Sequence, residues 1–266
     1  MSAMDQLLEV MARLRDPENG CPWDVAQTFA TIAPYTIEEA YEVADAITDE
    51  DWPALLDELG DLLFQVVFYA QMAREADRFD FEAIAAGAVT KMVRRHPHVF
   101  EDSTIDTAEA QTHAWEVQKS RERDAKAAAE GRAPGALDGV TRALPALTRA
   151  IKLQNRAARV GFDWPTLPPV IDKIEEEIAE VRAELDDGAA PDRLTDEIGD
   201  LLFACVNLAR HANVDPEAAM RQGNDKFERR FRRVEALLAE DGRSPTESGL
   251  AEMDKLWDQA KAEERS

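Results

Sequence analysis

Glu39 and Glu42 stand three residues apart in this sequence, as do Glu58 and Asp61. On a helix such pairs share a face, because a turn takes about 3.6 residues and side chains at i and i+3 are neighbours. Around the second pair lie Leu55, Leu56, Leu59, Leu62, Leu63 and Phe64, so Glu58 and Asp61 emerge beside an apolar surface where unpaired anions are costly. A cation belongs between the two pairs. Carboxylate-only ligation favours a hard ion, Mg²⁺ or Mn²⁺, over zinc or copper.

A single E-x-x-E on a Glu-rich helix is usually a solvated face, but here the arrangement occurs twice. Glu177 and Glu180 match Glu39 and Glu42, and Glu197 and Asp200 match Glu58 and Asp61, at offsets of 138 (177 minus 39) and 139 (200 minus 61). Both second pairs sit in the same E-[LI]-G-D-L-L-F context. A di-iron carboxylate bundle would need Glu-x-x-His on facing helices. The histidines are His96, His98, His113 and His211, and none follows an acid by three in these helices. His96 and His98 flank Pro97 and read as helix-end or surface groups.

Basic residues repeat as well. Lys91 and Arg95 answer Lys226 and Arg230 at an offset of 135 (226 minus 91), and Trp115 with Lys119 answers Trp257 with Lys261 at 142 (257 minus 115). Each pair is four apart and so shares a helix face. Duplicated alongside an acid cluster, these cations suit the far end of a polyphosphate whose near end is held by metal. The sequence holds no G-x-x-x-x-G-K-[ST], no G-x-S-x-G and no Cys/His pair, which leaves metal-activated water as the chemistry.

The elements that must position these groups are helices. The 3.6-residue period is expected to give helices over 4–15, from Thr36 through the first acid pair with Glu39 closing a capping box, then over 51–76, 81–95 and 107–123. Residues 21–35 read as irregular. The second half repeats the plan, with helices over 144–159, two acidic helices, and further ones over 217–240 and 247–264. No segment alternates like a strand, so the fold class is all-α, two tandem helical bundles from an internal duplication. The expected division is 1–123, a linker over 124–140 rich in Ala, Gly and Pro, and 141–266.

Composition narrows the function. At 266 residues each half is long enough for a core of its own, and 32% charged beside 45% hydrophobic residues fits amphipathic helices. A net charge of −23 repels nucleic acid and anionic membranes. The most apolar stretch, 62–73, is shorter than the roughly 20 residues of a membrane-spanning helix. Cys21 and Cys205 form no C-x-x-C; with Cys205 read as a core thiol and Cys21 as packing, a reduced cytoplasm suits both.

Taken together, L-R-D-P-E-N-G-C-P-W-D, Q-T-F-A-T-I-A-P-Y-T, E-L-G-D-L-L-F-Q-V-V-F-Y-A-Q-M-A, R-R-H-P-H-V-F and K-F-E-R-R-F make the chain resemble the MazG family of bacterial nucleoside triphosphate pyrophosphohydrolases. The resemblance covers nearly the whole chain. It implies an α-helical fold whose paired acidic helices bind Mg²⁺, a homodimer, and hydrolysis of nucleoside triphosphates to the monophosphate and pyrophosphate, which is expected to be broad in base. The family's acidic motif falls on Glu38, Glu39, Glu42, Glu58 and Asp61, and again on Glu176, Glu177, Glu180, Glu197 and Asp200. Lys226, Arg230 and Lys261 would then offset phosphate charge, with Trp257 a platform for base or ribose. A helical adaptor with acidic faces and a nucleotide sensor without turnover are the rival readings.

The halves differ around their shared acids. Lys173 lies four residues before Glu177, where Tyr35 precedes Glu39; Asn207 lies seven after Asp200, where Phe68 follows Asp61; Asn224 and Asp225 precede Lys226, where Val89 and Thr90 precede Lys91. The second half thus offers an extra cation and more hydrogen-bonding groups. It is expected to carry most of the hydrolysis, with the first half weaker, narrower or structural.

Overall fold

Thr28, placed just ahead of the first acid pair, sets the start of the helix that carries it. Its side chain accepts a hydrogen bond from Thr31 N, and Thr31 reaches back to the Thr28 backbone, a reciprocal cap that satisfies two of the amides a helix start leaves over. The expected cap at Thr36 is therefore corrected: Thr36 lies inside the helix, its hydroxyl directed to Ile32 O and 3.0 Å from the Tyr69 hydroxyl. Pro34 is carried within the second turn. The segment 21–35, expected to be irregular, is mostly helical.

The computed structural model describes residues 1–101, 105, 107–188 and 190–265; among these there is no strand. The side chain of His113 lies outside the described ones. The chain forms two units, Met1–Lys119 and Ser120–Ser266. In the first, α1 (Ala3–Leu14), the short α2 (Pro22–Ala26), α3 (Phe29–Thr48), α4 (Trp52–Glu75), α5 (Phe81–Arg95) and α6 (Pro97–Phe100) precede α7 (Ala108–Ala129), which crosses into the second. There follow α8 (Ala146–Arg159), α9 (Pro168–Asp186), α10 (Pro191–His211), α11 (Pro216–Glu240), a 3₁₀ turn at Pro245–Glu247 and α12 (Leu250–Glu263).

Each unit is built on a hairpin of its two acidic helices. In the first, α3 lies along α4, and α1 and α5 pack on α4. Met11, Ile32, Val67, Phe68 and Met72 form its buried cluster, so α1, α3 and α4 each contribute to one core. Asp51 caps α4 by accepting from Ala54 N at 3.0 Å, and Glu50 takes a left-handed φ of 54° to close the turn between the helices. In the second unit α9 lies along α10, α8 packs on α10, and α11 bridges α8 and α12. Val170, Val206, Val234 and Leu238 are the largest of its fully buried side chains.

Three further expectations change. The segment 124–129, read as the start of a linker, continues α7 as far as Ala129, since its alanines favour helix and the first φ-positive glycine, Gly131, comes only afterwards. Cys205, read as a core thiol, is exposed, because Ala204, Val206 and Asn207 are the residues α10 turns inward there. The last helix starts at Leu250 rather than near 247, since Ser244 and Glu247 cap a separate 3₁₀ turn. His96 keeps its helix-end role: its Nδ1 lies 2.7 Å from Met92 O, so that nitrogen carries the proton.

Removing the α3 cap tests this start. Thr28→Ala should lower unfolding stability by about 1 kcal/mol in urea titration; unchanged stability would place the functional start of the helix elsewhere.

Candidate active site

In the second unit Glu177 and Glu180 project from α9, and Glu197 and Asp200 from α10. Pro168 and Pro169 open α9 and Pro191 opens α10, positions where proline loses no helix hydrogen bond and fixes the entry angle. Gly188, at φ 65°, ends α9 as only glycine does readily. The short turn that results holds the two acid pairs opposite each other. Glu177, Glu197 and Asp200 each offer one oxygen such that all lie within 4.8 Å of one another.

Glu177 is the most constrained of them. It is only 3% exposed, its Oε1 is 2.8 Å from Lys173 Nζ, and its Oε2 is buried without a hydrogen-bond partner. Lys173 also reaches Glu176 Oε1 at 2.8 Å, and the two carboxylates hold its ammonium well above the ordinary lysine range. Glu180 is pushed up from its ordinary value, first by burial and then by the hydrogen bond and charge of Glu177. A single lysine does not neutralise this concentration of anions. Three converging carboxylates, one of them buried, fit a hard divalent cation.

The first unit repeats the cluster with a different surround. Glu39, Glu42 and Glu58 offer oxygens within 4.8 Å of one another. Glu39 is raised by burial and then by the charges of Asp61 and Glu42; Glu58 is raised by burial, then by Glu42 and Asp61. Here Gln65 Nε2 donates to Glu39 Oε1 at 3.4 Å, and Gln65 is itself buried. The counterpart of Gln65 in α10, at the 139 offset, is Ala204 (204 minus 65), and that of Phe68 is Asn207 (207 minus 68). Phe68 is 1% exposed in the apolar core, with the Arg15 guanidinium 5.3 Å from its ring centre.

With Ala204 and Asn207 in those places, the second unit opens a cavity of about 500 Å³ running along α10 from Asp200 to Arg210. Lys173, Glu177, Asp200 and Asn207 all line it, four of the residues singled out in the sequence. Gly161, at φ 87°, turns the chain after α8 so that Phe162, Asp163 and Trp164 line it too. Sequence reasoning missed Asp163, Arg210 and His211. Arg210 donates to Asn207 Oδ1 and to Asp163, and His211 Nε2 is 3.1 Å from Asp163. Their signal was present: Arg210 and His211 follow Asn207 by three and four residues, on its face of the helix.

The remaining basic candidates are not among the residues that line this cavity. Asn224, Lys226 and Arg230 stand on α11, Trp257 and Lys261 on α12. The Arg230 guanidinium lies 5.8 Å from the Trp257 ring centre and pairs with Glu264 at 2.8 Å, while Lys261 pairs with Asp258 at 2.9 Å. In the first unit Lys91 and Arg95 lie on α5. The Trp115 indole donates to Arg95 O at 2.9 Å, and Lys119 pairs with Glu116 at 3.1 Å.

Two acid-bearing helical hairpins, one with a cavity beside its carboxylates, make up an all-α fold. The chain belongs to the MazG family: the MazG nucleotide pyrophosphohydrolase domain matches residues 27–100 and 168–234, the stretches that hold both acid clusters. It is 54% identical to the nucleoside triphosphate pyrophosphohydrolase of Escherichia coli K12 over 99% of each chain. It is 40% identical to the nucleoside triphosphate pyrophosphohydrolase/pyrophosphatase MazG of Thermotoga maritima, over 97% of this chain and 95% of that one. A nucleoside triphosphate pyrophosphohydrolase of Mycobacterium tuberculosis is 31% identical over 64% of this chain and 50% of its own length.

The raised acids give a pH signature. Between the ordinary carboxylate value of 4.5 and the raised folded-state values of Glu58 and Glu180, the folded state binds more protons than the unfolded one. Stability from these groups therefore falls as pH rises through that window. In metal-free buffer a Glu58→Gln/Glu180→Gln variant should melt with the parent below this window and above it at neutral pH. With Mg²⁺ the order should reverse. A variant no more stable than the parent at neutral pH without metal would contradict the electrostatic reading.

Proposed function

We propose that this protein hydrolyses nucleoside triphosphates to the monophosphate and pyrophosphate, with a divalent ion held by Glu177, Glu180, Glu197 and Asp200, and that its second half carries most of the turnover. The observation that carries the reading is the convergence of Glu177, Glu197 and Asp200 within 4.8 Å, with Glu177 buried and lining a 500 Å³ cavity, in a chain whose full-length relatives are named for this activity. Mg²⁺ is the ion that best matches the oxygen-only donors, and Mn²⁺ would serve. When bound, it would supply charge neutralisation for the triphosphate and acidify a water.

The protein's own groups have distinct tasks. Lys173 binds Glu176 and Glu177 in the free state and would turn to a phosphate oxygen once the carboxylates are neutralised. Glu176 neighbours the converging Glu177, Glu197 and Asp200 in sequence and space, and one of these glutamates would accept the proton of the attacking water. Asn224, Lys226, Arg230, Trp257 and Lys261 remain candidates for phosphate and base, as Lys91, Arg95, Trp115 and Lys119 do for the first half.

In the first half Glu39, Glu42, Glu58 and Asp61 would bind metal more weakly or turn over more slowly, since Gln65 already donates to Glu39 and Phe68 fills the place of Asn207. The working form we take to be a cytoplasmic homodimer that does not bind nucleic acid. No described helix is long and apolar enough to cross a membrane. Leu56 and Leu59 on α4 and Ile198 and Leu202 on α10 are exposed apolar side chains that a second copy would cover.

Pyrophosphate release from a panel of nucleoside triphosphates, with and without Mg²⁺, tests the activity. Glu180→Gln should lower the rate by about a hundredfold or more, and Glu42→Gln by less than about threefold, on the scale of acid–base and metal contributions. The reverse pattern would move the active half to the N-terminal side.

A further inference from the structure

We propose that Asn207 selects the base of the bound nucleotide, and that Arg210 and Asp163 are positioning residues that fix which face of its amide the ligand meets. This rests on the nucleotide reading of the cavity given above. Asn207 is 7% exposed and lines the cavity about two turns beyond Asp200. Its Oδ1 accepts from Arg210 Nε at 3.1 Å and from Arg210 Nη2 at 2.9 Å. A guanidinium only donates, and an amide has one accepting and one donating end. The oxygen is therefore committed to Arg210, and the amide can sit only one way round.

What Asn207 offers the cavity is an NH₂ group. Arg210 is in turn held by Asp163 from the loop after α8, and its guanidinium keeps the Asp163 carboxyl below the ordinary range, so the bracket is charged and closed. Phe162, Trp164 and Phe203 line the same space and supply ring faces on which a base can stack. A donor held against a stacked base edge favours an exocyclic carbonyl, which accepts. It disfavours an exocyclic amino group, which would set donor against donor.

A plain structural role, tethering the α8–α9 loop to α10, accounts for the contacts less well. At the offsets of the duplication the counterparts of Asn207, Arg210, His211 and Asp163 are Phe68, Gln71, Met72 and Pro22. The first unit ties its loop and helix together from another element, through Arg15 of α1, which donates to Asp24 O and to Glu75, and it buries Phe68 and Met72 in its core. The bracket is present in the half that has the cavity.

Calorimetric binding of non-hydrolysable α,β-methylene triphosphates to the full chain in Mg²⁺ tests this, using pairs that exchange an exocyclic oxo group and its neighbouring ring N–H for an amino group and a bare ring nitrogen: inosine against adenosine, and uridine against cytidine. The oxo member of each pair should bind about tenfold tighter, the scale of one mismatched buried hydrogen bond. Asn207→Asp keeps the shape and the pairing with Arg210 but removes the donors, and should abolish or reverse the preference. Arg210→Met should bring the ratio towards one while leaving the affinity for inorganic tripolyphosphate unchanged, which a role in folding alone would not do. Equal binding within both pairs, or a preference that survives Asn207→Asp, would overturn the proposal. An oxo preference without pyrophosphate release from the natural triphosphates would instead sink the hydrolytic reading and leave this one standing.

Discussion

The carboxylate of Glu177 is almost wholly out of water, with one oxygen against Lys173 and the other against no donor, and a charge so placed has to be matched by another. The rest of the second unit follows from that requirement. The α9–α10 hairpin brings Glu197 and Asp200 to the same point, which makes the mismatch worse in the absence of a cation and favourable in its presence. The two helices are themselves secured by proline entries and the burial of Val170 and Val206.

The duplication shows what such a scaffold does when one surround is altered. Both hairpins present three converging acids, yet in the first an amide has moved into hydrogen-bond range of Glu39 and an aromatic ring has been built into the core where the second has Asn207. Arg15, set over that ring and bonded to Glu75, uses its guanidinium for internal cohesion. Arg210, on α10, turns its guanidinium towards an asparagine on the cavity wall. One unit has spent its polar groups on the fold and the other on a site.

Much of this was legible in the residues. Carboxylates three apart, repeated at a constant offset, identified the acid faces and the all-α class, because helical periodicity converts spacing directly into geometry. The Lys173 and Asn207 substitutions in the second half marked the cavity side. The helix start at Thr28 was hidden by Pro34, which reads as a break but is tolerated in an early turn, so the more obvious Thr36–Glu39 capping box was preferred. Cys205 looked buried because its neighbours are apolar, whereas the tertiary packing decides which of Ala204, Cys205 and Val206 faces inward. The Asp163–Arg210 bracket joins residues 47 apart in sequence, and no local spacing announces a contact of that kind. Nor does spacing tell whether the cations of α11 and α12 reach the acids; within this chain they lie on their own pair of helices.

The claim on which the account turns is that the buried Glu177 oxygen is a metal ligand rather than a misplaced charge. Anomalous diffraction from crystals grown with Mn²⁺ tests it directly. The account predicts a peak within coordination distance of Glu177 Oε2 and of Glu197 and Asp200. A Mn²⁺ ion bound elsewhere, with Glu177 Oε2 left uncoordinated at a saturating concentration, would contradict it.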